Sequence, residues 1–293
     1  MMIVLGIVAV LLLLTLGVAV AASAAARNAE SSAVEEGMQD FLSTIMRQPA
    51  ANDDYTLPDG NTLTVHTLDL GASNAYLLET AGGLVLVDAG TPFVASVILD
   101  YLAKIGRDDL NLIYITHAHI DHYGSAAEIR RRTGAPIAIH PDDAAALSTG
   151  ATDLGIVRDL ERVSELALPY VEPLLTIEGT EPDILVEDGD RLDAYGLPAT
   201  VVHVPGHTPG STAIVLDGGV SFVGDLLAAT GDPHVQSSYA YDWSLFPASL
   251  RHLAAYEPTQ LYTGHGPIAI DGNDLEELTQ QFETSFPALR KNN

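Results

Sequence analysis

The stretch Ile113-Tyr-Ile-Thr-His-Ala-His-Ile-Asp-His-Tyr-Gly124 begins as an apolar run and ends abruptly in histidine and aspartate side chains. The run from Leu112 to Ile115 predicts a buried strand. Four candidate ligands follow it: His117, His119, Asp121 and His122. Histidines two positions apart at the end of a strand can point their rings in the same direction. Imidazole and carboxylate groups suit zinc, and also iron and manganese. The stretch therefore predicts a strand that leads into a metal-binding loop.

Three further candidate ligands repeat this layout later in the chain. His207 lies in a turn with two prolines and two glycines, directly after a β-rich run that ends at Val204. Asp225 follows Gly224 at the end of another apolar run, and His265 lies between two glycines. A small residue beside a ligand lets the backbone come close to an ion. We therefore expect the ligands to converge at one edge of a sheet system.

This pattern resembles the metallo-β-lactamase-fold hydrolases over about residues 60 to 270. The family has an H-x-H-x-D-H motif, a later single histidine, a bridging aspartate and a final histidine. Their counterparts here are His117, His119, Asp121, His122, His207, Asp225 and His265. The Val87-Asp88-Ala-Gly90 turn and the Gly206-His-Thr-Pro-Gly-Ser211 segment match the family as well.

The resemblance implies a mixed α/β (α+β) fold, specifically a four-layer αββα sandwich, with two divalent metal ions. Zinc is the first choice, with iron and manganese as alternatives. One ion would be held by His117, His119 and His207, and the other by Asp121, His122 and His265. Asp225 would bridge the two ions, and Asp88 would orient ligands from behind them.

The expected activity is hydrolysis of an ester, thioester or lactone in a small-molecule substrate. Two metal ions about 3.5 to 4 Å apart can lower the pKa of a shared water, which makes hydroxide available at neutral pH. Asp121 is the expected catalytic residue, because a carboxylate beside the ions can orient the water and carry its proton. A carboxylate at the position of Asp225 is typical of the glyoxalase II-like and lactonase-like branch, whereas β-lactamases usually lack it.

Two other functions stay open at this stage. One is a sulfur dioxygenase of the same superfamily, which uses part of the same ligand set for a single iron. The other is a non-catalytic binding module tethered to a membrane, although the complete ligand set argues against it.

The composition excludes several functions. The 293 residues contain no cysteine, so disulfides and thiolate-bound metals are excluded. The net charge is −26, and the two lysines are Lys104 and Lys291. Nucleic-acid binding depends on neutralising phosphates with lysine and arginine, so no nucleic-acid partner is expected.

The start of the chain predicts a single-pass membrane anchor at residues 1–26, since residues 2–26 carry no charge. A helix of that length, at about 1.5 Å per residue, spans a bilayer core of about 30 Å. The alternative is a secretory signal peptide cleaved between Ala19 and Ala26, but a basic region before it is missing. Residues 27–60 predict a juxtamembrane amphipathic helix and a linker, and residues 61–293 the catalytic domain.

Residues outside the motif receive weaker predictions. His234, Tyr239 and Tyr241 lie in a polar loop after Asp225 and are candidates for substrate contact, with a plain surface loop as the alternative. The other four histidines are expected to be structural or exposed: His66, His140, His203 and His252. Strands are predicted at 63–68, 75–79 and 84–87, and helices at 92–105, 125–132, 243–256 and 273–289.

Overall fold

The computed structural model describes residues 52–158, 166, 168–170 and 172–285. Its strands are β1 (Asn52–Thr56), β2 (Thr62–Asp69), β3 (Asn74–Thr80), β4 (Gly83–Val87), β5 (Leu110–Tyr114), β6 (Ile137–Ile139), β7 (Ile156–Val157), β8 (Ile184–Leu185), β9 (Ala199–His203), β10 (Thr212–Leu216), β11 (Val220–Phe222), β12 (Leu227–Ala228), β13 (His234–Val235), β14 (Tyr239–Ala240), β15 (Gln260–Tyr262) and β16 (Ile270–Asp271). The described α-helices are α1 (Ala95–Lys104), α2 (Ile120–Tyr123), α3 (Ala126–Thr133), α4 (Pro141–Thr149), α5 (Phe246–Ala254) and α6 (Leu275–Ser285).

Two sheets form the centre of the molecule. The first has the strand order β1-β2-β3-β4-β5-β6-β8, and the second has the order β16-β15-β11-β10-β9. In the first sheet, β1 to β4 are antiparallel neighbours, while β4, β5, β6 and β8 run parallel. In the second sheet, β11 and β15 are the parallel pair.

Parallel pairing brings distant parts of the chain to the same sheet edge. Val87 at the end of β4 pairs with Tyr114 at the end of β5, so the segments after both strands leave the first sheet side by side. In the second sheet Phe222 pairs with Tyr262, so the segments after β11 and β15 also leave together. The predicted ligands lie in the segments after β5, β11 and β15 and in the turn after β9, while Asp88 lies in the segment after β4.

The packing has four layers, because alternate residues of one strand face different cores. Ile113 packs in a core with α1 and α3, whereas its neighbour Tyr114 packs in the core between the two sheets. Val201 likewise lies between the sheets, whereas Val202 packs in a third core with α5 and α6. The order is helices, sheet, sheet, helices, which confirms the predicted mixed α/β fold.

The linker prediction within residues 27–60 is wrong for Asn52–Thr56, which form strand β1. This strand pairs with β2 from Asn52↔His66 to Thr56↔Thr62, and its residues are exposed or half-buried. An edge strand with little burial needs few apolar side chains, so its polar sequence reads as a loop. The Tyr55 hydroxyl also lies 2.7 Å from the Tyr262 hydroxyl of the second sheet.

The predicted membrane segment and amphipathic helix lie outside the described residues. Within the part of the chain that the structure describes, none of the helices has the length and apolar character needed to cross a membrane.

Candidate metal centre

The structure brings the seven predicted ligands together where the strands of both sheets end. His117 and His119 follow β5, Asp121 and His122 lie in α2, and the others follow β9, β11 and β15. Their side-chain atoms form three overlapping groups in which all candidate ligand atoms lie within 4.8 Å of one another. These groups are His117–His119–His207, His117–His122–Asp225 and Asp121–His122–His265.

Asp225 lies between the two groups of histidines. Its Oδ1 is 3.3 Å from His122 Nε2, and its Oδ2 is 3.3 Å from His207 Nε2 and 3.1 Å from His265 Nε2. Asp121 lies on the outer side, with its Oδ2 3.5 Å from His265 Nε2 and 3.7 Å from His122 Nε2. The two carboxylates differ in access to solvent, since the side chain of Asp225 is 1% exposed and that of Asp121 is 19% exposed.

Three of the imidazoles donate an N–H on their outer side to a backbone carbonyl. The pairs are His119 Nε2 with Asp153 O at 2.8 Å, His207 Nδ1 with Tyr239 O at 3.3 Å, and His265 Nδ1 with Ala72 O at 2.8 Å. A carbonyl only accepts hydrogen bonds, so the outer nitrogen of each ring carries the hydrogen and the inner nitrogen keeps a lone pair when the ring is neutral.

Asp88 and Thr116 fix the other two imidazoles in the same way. Asp88 Oδ2 accepts from His122 Nδ1 at 2.8 Å and from Thr116 Oγ1 at 2.9 Å, while Asp88 Oδ1 accepts from Thr116 N at 2.8 Å. Because the Thr116 hydroxyl donates to Asp88, it accepts from His117 Nδ1, which lies 3.0 Å away. Asp88 is buried and has a left-handed backbone with φ 61°, which aspartate tolerates better than most residues. The sequence did not point to Thr116, whose only signal is a hydroxyl directly before the first histidine.

The inner side of the cluster carries polar atoms that make no hydrogen bond, although His122 Nε2 and Asp225 Oδ1 form an ion pair at 3.3 Å. Among the described residues, the buried atoms without a hydrogen-bond partner include His117 Nε2, His122 Nε2 and Asp225 Oδ1. His119 Nδ1 and His207 Nε2 face each other at 2.8 Å, so two lone pairs meet when both rings are neutral, a repulsion that a bound cation or a shared proton relieves. An unpartnered buried polar group costs about 1 to 3 kcal/mol. Nitrogen and carboxylate donors that converge in this way fit divalent metal ions.

The charges divide the centre into two halves. Burial, together with the neighbouring imidazoles, holds the pKa of His117 well below its ordinary value, and burial lowers that of His119 to about 3. Burial also disfavours the charged forms of His122 and His265, but the carboxylates, Asp225 foremost, outweigh it and raise their pKa values to about 10 and about 9. Burial raises the pKa of Asp225, but the charges of His265 and His122 outweigh it and hold that pKa well below the usual range.

The predicted substrate residues occupy different places. The ring of Tyr239 lies 5.5 Å from that of His119 and 5.2 Å from that of His207, so this tyrosine borders the centre. Tyr241 meets His207 through its backbone N–H, and its side chain is half-exposed. His234 lies in the short β12–β13 pair, and its Nδ1 donates to Asp232 O.

The remaining histidines make contacts outside the seven-residue cluster. His66 contacts Tyr101 and Glu79, and His252 contacts Asp188. His140 and His203 stack with their rings 4.0 Å apart and nearly parallel, at 11°. Together with Asp142 they form a fourth group of candidate ligand atoms within 4.8 Å, but parallel rings do not aim their in-plane lone pairs at one point.

The sequence comparison identifies the family to which this chain belongs. The family model described as the metallo-beta-lactamase superfamily matches residues 68–265, a span that runs from β2 to the last predicted ligand. This chain belongs to the metallo-beta-lactamase superfamily. The family suggested by the motif is thereby confirmed.

Relatives within the metallo-beta-lactamase superfamily include a named hydrolase and a metal-bound structure. The probable metallo-hydrolase YflN of Bacillus subtilis (strain 168) is 30% identical over 239 residues, which cover 74% of this chain and 89% of that protein. A metallo-beta-lactamase family protein of Thermus thermophilus is 26% identical with a TM-score of 0.56, covering 74% of this chain and 75% of that one. TTHA1623, crystallised in a di-iron-bound form, is 29% identical with a TM-score of 0.52, covering 71% of this chain and 93% of that one.

Proposed function

We propose that this protein is a hydrolase that uses two divalent metal ions to cleave an ester, thioester or lactone bond. One observation carries the proposal: all five imidazoles of the centre have their outer nitrogen bound to an oxygen, which leaves their inner nitrogens directed into one cluster. The inner nitrogens of His117, His122, His207 and His265 lie around Asp225, and that of His119 faces His207. Outer partners of this kind are characteristic of metal-binding histidines. The likeness to a probable metallo-hydrolase supports the same assignment.

The geometry suggests which residues would hold each ion. The first half would consist of His117, His119 and His207, whose ligand atoms lie within 4.8 Å of one another. The second half would consist of Asp121, His122 and His265, which meet the same criterion. Asp225 lies 3.3 Å from His207 of the first half, and 3.3 and 3.1 Å from His122 and His265 of the second half, so this carboxylate would bridge the ions and neutralise charge between them.

Metal ions bound here would supply a water of lowered pKa and would polarise the substrate's carbonyl oxygen. Asp121 has the position for moving a proton, since its carboxylate borders the second half and is 19% exposed. Protons accepted by Asp121 can therefore pass to solvent, whereas Asp225, with a 1% exposed side chain, is sealed from it. Tyr239 would contact the substrate beside His119 and His207, because its ring borders both.

The carboxylate at position 225 also supports the substrate class. Asp225 gives the centre a bridging negative charge, as in the glyoxalase II-like and lactonase-like branch that the sequence resembles. We propose zinc as the metal in both halves. Iron is the competing assignment, because the related TTHA1623 has been crystallised in a di-iron-bound form.

The test is a substrate panel run with the full chain loaded with Zn²⁺ or with Fe²⁺. The panel contains a thioester, a lactone, a carboxylic ester, a β-lactam and a phosphodiester. Asp225→Ala should abolish turnover, and Asp217→Ala should retain it, because Asp217 pairs with the surface residue Arg191. Turnover of the β-lactam or phosphodiester alone would refute the substrate class. Failure of the wild-type chain to bind metal would refute the proposal altogether.

We also propose that residues 1–26 attach the protein to a membrane, since residues 2–26 are uncharged. Fractionation of cells that express the full chain should recover it with membranes after a carbonate wash, and a chain without residues 2–26 should be released. Recovery of a shortened chain outside the cell would favour the signal-peptide alternative.

A further inference from the structure

A buried carboxylate outside the ligand set joins the two loops that carry the three-histidine half of the centre. Asp143 lies in the first turn of α4, just after strand β6 ends, and is 3% exposed. Its Oδ2 accepts from Ala118 N at 2.7 Å and from Thr208 Oγ1 at 2.7 Å. Its Oδ1 accepts from Gly210 N at 2.8 Å.

These partners lie immediately beside the histidines. Ala118 stands between His117 and His119 on the loop that leaves the first sheet. Thr208 follows His207 on the turn that leaves the second sheet. One side chain therefore bonds to both loops, although the histidines that it connects, His119 and His207, are 88 positions apart in sequence.

The arrangement requires a carboxylate at this position. Two of the three donors are backbone N–H groups, one from each loop, and an ionised carboxylate is the side chain that only accepts. An asparagine would turn its NH₂ group toward either Ala118 N–H or Gly210 N–H, which would oppose a donor with a donor. The space is also closed, because a Cβ on Gly210 would lie 2.7 Å from Asp143 Oδ1.

We propose that Asp143 is a positioning residue that sets the spacing between His119 and His207, and thereby the metal affinity of the three-histidine half. The proposal rests on the two-metal function proposed above. Ligand-to-metal distances in protein sites hold to within about 0.2 Å, so a small displacement of one loop against the other is enough to weaken binding. Asp143 would act through the two loops and not by touching a metal ion or a substrate.

The test is a titration of metal-free full-length protein with Co²⁺, in which visible absorption reports the affinity of each of two binding steps. His119→Ala identifies which step belongs to the three-histidine half. In Asp143→Asn that step should weaken by about 10-fold or more, a loss of the size found when a residue that orients a metal ligand is replaced. The other step should stay within about 2-fold of wild type, and the spectrum of the affected half should change.

Asp183→Asn is the matched control. Asp183 accepts from Ile137 N at 2.9 Å and from Arg130 Nη2, at the opposite end of strand β6 from Asp143 and away from the metal loops. The Asp183→Asn variant should have a lower thermal midpoint than wild type, with both Co²⁺ affinities unchanged. If Asp143→Asn does not fold, Thr208→Val removes one donor, while the main-chain bond from Thr212 N to Thr116 O at 2.9 Å still joins the sheets.

The outcomes separate the two proposals. Selective weakening of the three-histidine step in Asp143→Asn or Thr208→Val supports the inference. Equal weakening of both steps, no weakening, or the same effect in Asp183→Asn overturns it while leaving the two-metal function intact. A wild-type chain that binds no Co²⁺ overturns both.

Discussion

At Gly264, a single added methyl group should disrupt metal binding in a chain that still folds. The backbone of this glycine makes two hydrogen bonds, with Gly264 N donating to Gly224 O at 2.9 Å and Asn74 N donating to Gly264 O at 2.8 Å. These bonds prevent the backbone from shifting away from the centre. A Cβ at this position would lie 2.2 Å from Asp225 Oδ1 and 2.6 Å from His122 Cε1. In Gly264→Ala the methyl group would therefore enter the space between two proposed ligands.

The size of the effect follows from these distances. Non-bonded heavy atoms rest about 3.5 Å apart, so the Asp225 carboxylate must move by more than about 1 Å. Ligand-to-metal distances in protein sites vary by only about 0.2 Å. We therefore expect metal affinity in the half containing His122 to fall at least about 100-fold. Overpacking of this kind costs about 1 to 3 kcal/mol, or about 2 to 12 °C in thermal midpoint.

Metal content after dialysis, and thermal unfolding of the metal-free protein, measure the two effects. The matched control is Gly82→Ala, whose Cβ would lie 2.5 Å from Gly196 Cα in a turn that carries none of the proposed ligands. Both variants should lose comparable stability, but the control should keep wild-type metal content. Two ions bound by Gly264→Ala with wild-type affinity would refute our placement of Asp225 and His122 in the centre.

Three further predictions concern the support of the centre and of the sheet. Asp88→Asn should weaken metal binding about 10- to 100-fold, because its NH₂ group must face a donor from His122 or Thr116; unchanged affinity in a metal titration would contradict this. Metal loading at pH 7 should release at least two protons, because the raised pKa values of His122 and His265, about 10 and about 9, keep both charged until they coordinate, and a metal-bound water adds to the count where it ionises. Calorimetry in buffers of different ionisation enthalpy counts these protons; the count should fall by about two above about pH 10, and a count of zero at pH 7 would contradict the assignment. A chain that begins at residue 61 should melt more than about 4 °C below one that begins at residue 52, because it lacks β1; equal midpoints would show that β1 adds no stability.

The clustering of the seven proposed ligands could be predicted from the sequence because its signals are local. Each proposed ligand follows a strand and stands next to a small residue or within the H-x-H-x-D-H motif. Both features can be recognised in the sequence without knowledge of the fold. Strand β1 was missed because an edge strand needs little apolar content. The predicted helix 92–105 begins at Ala95, since Phe93 adopts φ 75° in the preceding turn.

The supporting residues could not be predicted, because tertiary packing alone gives them their partners. Thr116 and Asp143 carry no motif, and their roles depend on oxygens that reach segments distant in sequence, such as Asp88 and Gly210. Asp88 was predicted through the family resemblance, and its bond to His122 agrees with the orienting role expected of it.

The division of the ligands between two sheets links the centre to the order in which the chain folds. During synthesis the first sheet can gather His117, His119 and His122 long before His207 and His265 leave the ribosome. Contacts that bridge such separations form slowly, because the intervening chain must be closed into a loop first. The two proposed metal sites would therefore be complete only in a molecule whose second sheet has docked on the first. Tight metal retention would then indicate a completely folded molecule, and metal-poor molecules in a preparation should be enriched in chains that stopped before this docking step.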